Sequence, residues 1–393
     1  MHRAPRTAAL LTAVIALAVC LADARGLPSR LSNGEFWRMV SEYSEPGGYF
    51  PSNNFVSNEM EYQTVIPRLK EGVRPGGVYL GVGPEQNFTY IAALRPAMAF
   101  IVDIRRQNML QHLMYKALFE LSPTRADFLS RLFGRPRPPG LADDAPPEAL
   151  IGAFLSAEPS LTLFTESSRR VLELLERDRK LPLTPDDADT IRFLLETFFR
   201  YGPEVTYSPV ELDRPFVTVS GLRLSMFPSF GELATRTDEA GTNHGYLATE
   251  AQYAFLRDLQ RRNLVVPVVG DFAGDLAIRE VGRYVQDRGA VITAIYTSNV
   301  EQYLFQGDHW RSYYANVARL PIDETSTFIR SFFPNRGMVR VNPLARTYTL
   351  GAPPTNLYLY PESATLLNAV QELLAAVGAD RIAGYLDVIG MSR

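Results

Sequence analysis

The residues best suited to chemistry in this chain are two glycines and an aspartate that close neighbouring apolar runs. Gly81 and Gly83 follow residues 77–80, and Asp103 closes residues 98–102. In a β-α-β unit, glycines after the first strand let the backbone turn tightly beneath a ligand. An acid after the second strand accepts hydrogen bonds from ribose hydroxyls. The spacing therefore predicts a nucleotide-type site, with a plain strand-to-helix turn as the alternative.

The loop departs from the dinucleotide-binding pattern, because Gln86-Asn87 stands where that pattern has its third glycine. A diphosphate needs the third glycine for close approach of the backbone. S-adenosylmethionine has no diphosphate, and a looser loop can hold it. We therefore predict S-adenosylmethionine rather than NAD as the cofactor. The candidate cofactor-binding residues in this part of the chain are Gly81, Gly83, Glu85, Gln86, Asn87 and Asp103.

Two later polar clusters are predicted to face the same crevice, since ligands of open parallel sheets bind beyond the carboxyl ends of the strands. Asp271 follows the apolar run 264–269, and residues 297–303 follow the run 290–296. Asp271 is a further cofactor-binding candidate, and it also suits the cap of the helix that begins near residue 275.

The cluster after the fourth run carries the candidate catalytic residues Asn299, Glu301 and Tyr303. Asn299 could orient a nucleophile, and Glu301 could act as a base if burial raises its pKa. The alternative is helix capping, because Ser298 or Asn299 suits an N-cap and the helix dipole favours an acid in the first turn.

Arginines beside Asp103 are candidates for binding a substrate. Arg105 and Arg106 follow it after one intervening residue, and guanidinium groups bind carboxylates and phosphates through two hydrogen bonds. The same arginines also suit the solvated start of a helix. Tyr296 completes the predicted substrate-binding set. The histidines lack the spacing of metal ligands, so no metal is expected.

The elements that must position these residues alternate between strand and helix. Uniformly apolar runs indicate strands buried on both faces, and hence a parallel sheet. Helical patterns between them carry start signals at Thr184 and Thr249. We predict an α/β fold with a Rossmann-like, mostly parallel sheet and helices on both faces. A large helical insertion, about residues 107–248, separates strands two and three. Residues 215–225 are predicted to pair as two strands, residues 356–360 to form a strand, and residues 363–377 a helix.

The N-terminus predicts export. Basic residues precede the apolar run 8–22, which is too short to span a bilayer comfortably and ends in a small-x-small site. Residues 1–24 are therefore interpreted as a signal peptide, and the protein as periplasmic or secreted. Lipid anchoring at Cys20 is disfavoured, because Val19 is too large for a lipobox. Residues 25–75 are predicted to be a lead-in and possible lid, and residues 76–393 the α/β domain.

The composition argues against some classes of binding partner. Of the 393 residues, 46% are hydrophobic and 21% charged, which is typical of a globular chain. The net charge of −3 gives no basic footprint for nucleic acid. No segment after the signal peptide is apolar for long enough to cross a membrane. The expected partner is a small-molecule ligand of unknown identity.

Several motifs together resemble a family of exported, uncharacterised bacterial proteins with a class I S-adenosylmethionine methyltransferase-like fold. The motifs are residues 47–50, 53–59, 79–91, 99–108, 270–272 and 296–303. The resemblance implies that Gly81 and Gly83 are the methionine-loop glycines. It makes Asp103 the ribose ligand and Asp271 the ligand of the adenine amino group. The acid that often precedes the first glycine is absent, since Leu80 stands there.

Two hypotheses follow. The first is methyl transfer from S-adenosylmethionine to an unknown acceptor, with residues 53–59 and the insertion closing over the site. The second is an exported, non-enzymatic protein that reuses the fold to bind a ligand. The signal peptide favours the second, because the methyl donor is made in the cytoplasm.

Overall fold

The computed structural model describes residues 26–208, 216–219, 222–225, 227–333 and 363–392, with backbone alone for the two stretches between 216 and 225. The predicted signal peptide, Cys20 and the predicted strand 356–360 lie outside the described residues. No helix in the described ranges is both long and apolar enough to cross a membrane.

The centre of the fold is a six-stranded sheet, and a separate two-stranded hairpin lies in the long connection between its second and third strands. The strands are β1 (Val78–Gly81), β2 (Met98–Asp103), β3 (Phe216–Val219), β4 (Leu222–Ser225), β5 (Val265–Val269), β6 (Ile292–Ser298), β7 (Thr327–Phe332) and β8 (Ala364–Ala369). The large sheet has the order β5-β2-β1-β6-β7-β8. All its pairs are parallel except β7 with β8.

Fifteen α-helices are described around the sheet. They are α1 (Asn33–Glu42), α2 (Ile66–Gly72), α3 (Gln86–Leu94), α4 (Arg106–Leu121), α5 (Arg125–Phe133), α6 (Pro147–Ser156), α7 (Leu161–Glu173), α8 (Pro185–Tyr201), α9 (Phe230–Ala234), α10 (Glu250–Arg261), α11 (Ala277–Asp287), α12 (Val300–Gln306), α13 (Trp310–Val317), α14 (Val370–Gly378) and α15 (Tyr385–Gly390). A π-helical turn extends α7, and a 3₁₀ turn follows α8.

The central strands are buried on both faces. Every residue of β1, β2 and β5 is buried, and alternate residues of a strand point to opposite faces. Helices therefore cover both sides, as the uniformly apolar runs predict. The α/β, Rossmann-like fold class is confirmed, and the pairing of β3 with β4 agrees with the predicted strand pair.

Local capping signals predict two helix starts correctly. Thr184 caps α8 in a capping box with Asp187, and Thr249 caps α10. The predicted helix 363–377 is wrong over its first part. Residues 364–369 form β8, antiparallel to β7, and the helix begins only at Val370.

The strand order reverses between β1 and β6, which are neighbours in the sheet. The chain runs outward from β1 through β2 to β5, and from β6 through β7 to β8. Ligands of such sheets bind at this switch point, beyond the carboxyl ends of the strands. The lead-in also belongs to this core, because α1 contacts β5. Between β2 and β5 lie helices α4 to α10, of which α4 contacts both of these strands.

Candidate functional site

A cavity of about 440 Å³ lies at the switch point, within the range of roughly 300–1,000 Å³ typical of small-molecule sites. Residues at the ends of four strands, β1, β2, β5 and β6, form its wall together with residues of the lead-in. The predicted residues that line it are Gly83, Asp103, Arg105, Asp271, Tyr296, Asn299 and Tyr303. Most of the candidate residues predicted from the sequence therefore line a single cavity.

The glycine loop after β1 is held from below by Asn87. Its amide nitrogen donates to the carbonyls of Val82, Gly83 and Pro84 at 2.8, 3.1 and 2.7 Å. Its oxygen accepts from the hydroxyl of Tyr79 at 2.9 Å. Asn87 does not line the cavity, so its role is to shape the loop rather than to contact a ligand.

The two glycines of this loop are needed for different reasons. A Cβ on Gly81 would lie 2.0 Å from the Asn87 oxygen and 2.6 Å from the Tyr79 ring. Gly83 has φ +78°, a conformation that costs other residues about 1–2 kcal/mol. Gly81 therefore permits the packing beneath the loop, and Gly83 permits the turn that faces the cavity.

His112 supports the same loop, although its position in the sequence gave no sign of this. Its Nε2 lies 2.8 Å from the carbonyl oxygen of Gly83. Burial lowers the pKa of His112 to about 4, so the ring is neutral at ordinary pH. Because a carbonyl only accepts, the neutral ring must carry its proton on Nε2 and donate it to Gly83.

Asp103 is held by Arg105, two residues further along. Its Oδ1 accepts from the Arg105 backbone nitrogen at 2.9 Å and from Nε at 3.1 Å, and its Oδ2 accepts from Nη2 at 3.1 Å. Nη1 of Arg105 donates to the carbonyls of Ser52 and Asn53. A carboxylate accepts about four hydrogen bonds, so Asp103 keeps capacity for one more. Arg105 serves to orient Asp103 and to bind the lead-in.

Asp271 stands on the loop after β5, which the lead-in also fixes. Its Oδ1 accepts from the backbone nitrogen of Ala273 at 2.9 Å. The carboxylate of Glu45 accepts from the backbone nitrogens of Asp271, Leu276 and Ala277 at 3.0, 3.0 and 3.1 Å. Since Glu45 takes over the capping of α11, the second oxygen of Asp271 accepts no hydrogen bond within the described ranges.

The end of β6 carries the most unusual backbone of the site. Ser298 has φ +50° and follows a register shift against β7. Such strain in a non-glycine residue is often found at functional sites. Ser298 lines the cavity, and its hydroxyl donates to Oε1 of Glu59. Oε2 of Glu59 accepts from Gln86 at 2.5 Å, and Gln86 also donates to the Tyr296 hydroxyl at 3.0 Å.

Glu59 is a functional candidate that the sequence did not reveal. It is buried, and this burial raises its pKa, against the lowering effect of hydrogen bonds from Ser298, Ser331, Gln86 and Tyr296. Its partner Ser298 lies 239 residues away in the chain, so no local spacing could connect the two. Gln86, predicted to bind the cofactor, instead belongs to this network beneath the cavity.

Two further candidates lie away from the cavity. Glu301 is fully buried in an ion pair with Arg330, with Nε to Oε2 at 2.7 Å, and it also accepts from the Tyr314 hydroxyl at 2.7 Å. It is therefore not placed as a base. Arg106 forms two hydrogen bonds of 2.8 Å with Asp187 at the start of α8. Its contact is structural, because the adjacent helix supplies the carboxylate.

The mouth of the cavity is aromatic. The Phe50 ring meets the Tyr303 ring edge to face, with centroids 5.3 Å apart. Tyr49 beside it is 86% exposed, an unusual state for a large ring next to a cavity. Six aromatic side chains line the space, namely those of Tyr49, Phe50, Tyr207, Phe272, Tyr296 and Tyr303.

Glu85 lies behind the loop, where it lines a separate, smaller pocket with Tyr62 and Thr89. It accepts from the backbone nitrogen of Ser57 at 3.2 Å, and its other oxygen has no partner. Burial raises the pKa of Glu85 from 4.5 to about 7. The folded protein thus holds this group protonated where the unfolded chain has lost the proton.

We expect Glu85→Gln to flatten the dependence of stability on pH. Because folding raises the pKa of Glu85, this residue does not lower the free energy of unfolding below pH 4.5. Its destabilising effect grows as pH rises toward about 7. The full cost is about 3 kcal/mol, which the amide removes. Urea unfolding at three pH values checks this, and a variant that loses stability between pH 4.5 and 7 as steeply as the wild type contradicts it.

The chain matches the protein family described as Domain of unknown function (DUF7790) over residues 54–136 and 163–353, well over half its length. The matched ranges include the glycine loop, Asp103, Asp271 and the end of β6. No curated protein matches the chain.

Proposed function

The chain belongs to the DUF7790 family, whose description carries no activity, and from its site we propose that it binds S-adenosylmethionine for methyl transfer to a small acceptor. The observation that carries this proposal is the convergence of three strand ends on one cavity. Gly83, Asp103 and Asp271 all line it, and they are the residues that a class I methyltransferase-like pattern assigns to the methionine moiety, the ribose and the adenine.

The chemistry of the cavity wall suits an adenosyl group. Asp103 retains one free acceptor position for a ribose hydroxyl, and the second oxygen of Asp271 is free for an adenine amino group. A Cβ at Gly83 would meet no atom within 4 Å, so the loop leaves open space beside its backbone. The volume of about 440 Å³ admits a ligand of this size.

When bound, S-adenosylmethionine would supply an electrophilic methyl group. The chain's own part is to hold the ligand and to orient the acceptor. We assign the acceptor to the side of the cavity lined by Ser298, Asn299 and Tyr303, because it lies across the switch point from Asp103. The amide of Asn299 would orient the acceptor through hydrogen bonds, and the ring of Tyr303 would cover it.

Isothermal titration of the purified protein with S-adenosylmethionine tests the proposal. We expect binding by the wild type and at least about tenfold weaker binding by Asp271→Asn, since a hydrogen bond to a charged group is worth about 1.5–3 kcal/mol. Asparagine keeps the oxygen that Ala273 needs and replaces only the free one with a donor. Asp275→Asn, four residues away and 88% exposed, is the matched control.

Absence of wild-type binding would overturn the proposal, as would equal affinity in the two aspartate variants. An exported ligand-binding protein without catalysis is the second candidate. It is favoured by one observation, namely that the carboxylates of Asp103 and Glu301 are both paired with arginines. That candidate predicts no S-adenosylhomocysteine after incubation of the protein with S-adenosylmethionine and an acceptor mixture.

A further inference from the structure

We infer that the acceptor is an aromatic hydroxyl compound and that its proton passes through the Ser298 hydroxyl to the carboxylate of Glu59. This rests on the proposed function, because it names the acceptor and the base of the same site. Ser298 lines the cavity and donates to Glu59 Oε1, so a group in the cavity that hydrogen-bonds to Ser298 is one hydroxyl away from a buried carboxylate.

The other acids near the cavity do not fill this role. Asp103 is held by the Arg105 guanidinium and Glu301 by that of Arg330, so both carboxylates are already engaged in ion pairs. Asp271 follows β5, which lies three strands away from β6 in the sheet, on the side assigned to the adenine. Glu59 is thus the carboxylate with a direct hydroxyl link to the acceptor side.

The surroundings of Glu59 make it a stronger base than an ordinary glutamate. The titratable groups that face it are Tyr79, Tyr90, Tyr296 and Glu85. None of these is cationic, and all are buried. Burial raises the pKa of Glu59, which brings its proton affinity closer to that of a hydroxyl group.

The proton transfer balances in two linked movements. The hydroxyl proton of the acceptor moves to Ser298 Oγ as the Ser298 proton moves to Glu59 Oε1. The acceptor oxygen keeps its electron pair, Ser298 is restored as a neutral hydroxyl, and Glu59 becomes a neutral acid. Release of that proton to solvent after product leaves returns the site to its starting state.

Aromatic rings at the mouth identify the class of acceptor. Six aromatic side chains line the cavity, and the Phe50 and Tyr303 rings already pack edge to face. Aromatic pairs of this kind are worth about 0.5–1.5 kcal/mol beyond the area they bury. A planar ring bearing a hydroxyl would therefore pack against Phe50 and Tyr303 and present its oxygen to Ser298.

4-Nitrophenol is a suitable probe, because its ionised form absorbs at a longer wavelength than its neutral form. We expect the wild type, without any cofactor, to bind it and to shift its apparent pKa downward, so that the bound probe is ionised where the free probe is neutral. Glu59→Gln and Ser298→Gly should each reduce this shift at least about tenfold in the ionisation constant, as expected for loss of a positioned base.

The variants are chosen to keep the fold. Glycine accepts the φ of +50° at residue 298, and glutamine keeps the shape of Glu59. Glu280→Gln is the matched control, since it makes the same glutamate-to-glutamine change at a residue that pairs with Arg283 outside the cavity, and it should leave the probe spectrum unchanged. Thermal unfolding identifies any variant that fails to fold, and for such a variant Ser298→Ala and Glu59→Asp replace it.

Two results would overturn the inference: failure of 4-nitrophenol to bind the wild type, or an equal spectral shift in Glu59→Gln. These outcomes are separate from those of the cofactor titration. If the probe ionises but S-adenosylmethionine does not bind, the proposed function fails and the proton path stands. If S-adenosylmethionine binds but the probe stays neutral, the proton path alone fails.

Discussion

Replacing Glu301 with glutamine should lower the free energy of unfolding by about 3–5 kcal/mol, because it leaves the charge of Arg330 buried and unpaired. Both side chains are fully buried, and they share two hydrogen bonds, of 2.7 and 3.3 Å. Chemical denaturation of wild type and variant measures the change. The affinity for a cavity ligand should stay the same, since the pair lies away from the cavity.

A second substitution separates the effect of the unpaired charge on stability from the effect of the altered side-chain shape. Adding Arg330→Met to Glu301→Gln removes both charges, and we expect most of the lost stability to return, because apolar replacements of buried pairs are often neutral. Glu280→Gln breaks an exposed pair with Arg283 and should cost less than about 1 kcal/mol. If Glu301→Gln costs no more than Glu280→Gln, the buried pair is not a major source of stability.

Replacing Asn87 with alanine should cost about 2–4 kcal/mol of stability and weaken binding of S-adenosylmethionine. The Asn87 nitrogen donates to three loop carbonyls, and its oxygen accepts from the Tyr79 hydroxyl. A buried polar group without a partner costs about 1–3 kcal/mol of stability. Once these contacts are lost, the loop that carries Gly83 is no longer held in one conformation. Denaturation and calorimetry on the same preparation measure both effects.

Gln107→Ala is the comparison for Asn87→Ala. Gln107 donates one hydrogen bond, of 3.2 Å, to the carbonyl of Asn53, and it is partly exposed. Its loss should cost about 1 kcal/mol or less. Unchanged ligand affinity in Asn87→Ala, together with a stability loss no larger than that of Gln107→Ala, would show that the loop holds its shape without the amide.

The sequence predicts the strands that lie deepest in the sheet, because burial on both faces leaves a uniformly apolar run. It does not predict β7, whose sequence includes Arg330 and Ser331. Glu301 supplies the countercharge that allows Arg330 to lie buried in that strand, and this pairing cannot be read from either segment alone. β8 has helix-forming alanine and leucine, and pairing with β7 overrides that local preference.

The residues of the candidate site also fall into two groups, those that the sequence predicts and those that it does not. Gly83, Asp103 and Asp271 follow strands directly, so their order along the chain is enough to bring them together. Glu59 and Glu45 come from the lead-in, where turn-forming residues give no sign of a partner. Their positions depend on contacts with residues more than 200 positions later, and no local pattern contains such information.

The long sequence separations within the site have a consequence for the order of folding. Glu59 is paired with Ser298 across 239 residues, and Glu45 with Asp271 across 226. Contacts between residues far apart in the sequence form slowly. The chain between them must first lose conformational entropy to close the loop, and the contacts offset this loss only after they have formed. Glu45 and Glu59 therefore stay exposed to solvent until their partners near residues 271 and 298 have been synthesised. The cavity should be among the last regions to acquire native structure, and slow refolding should show in ligand binding later than in helix content.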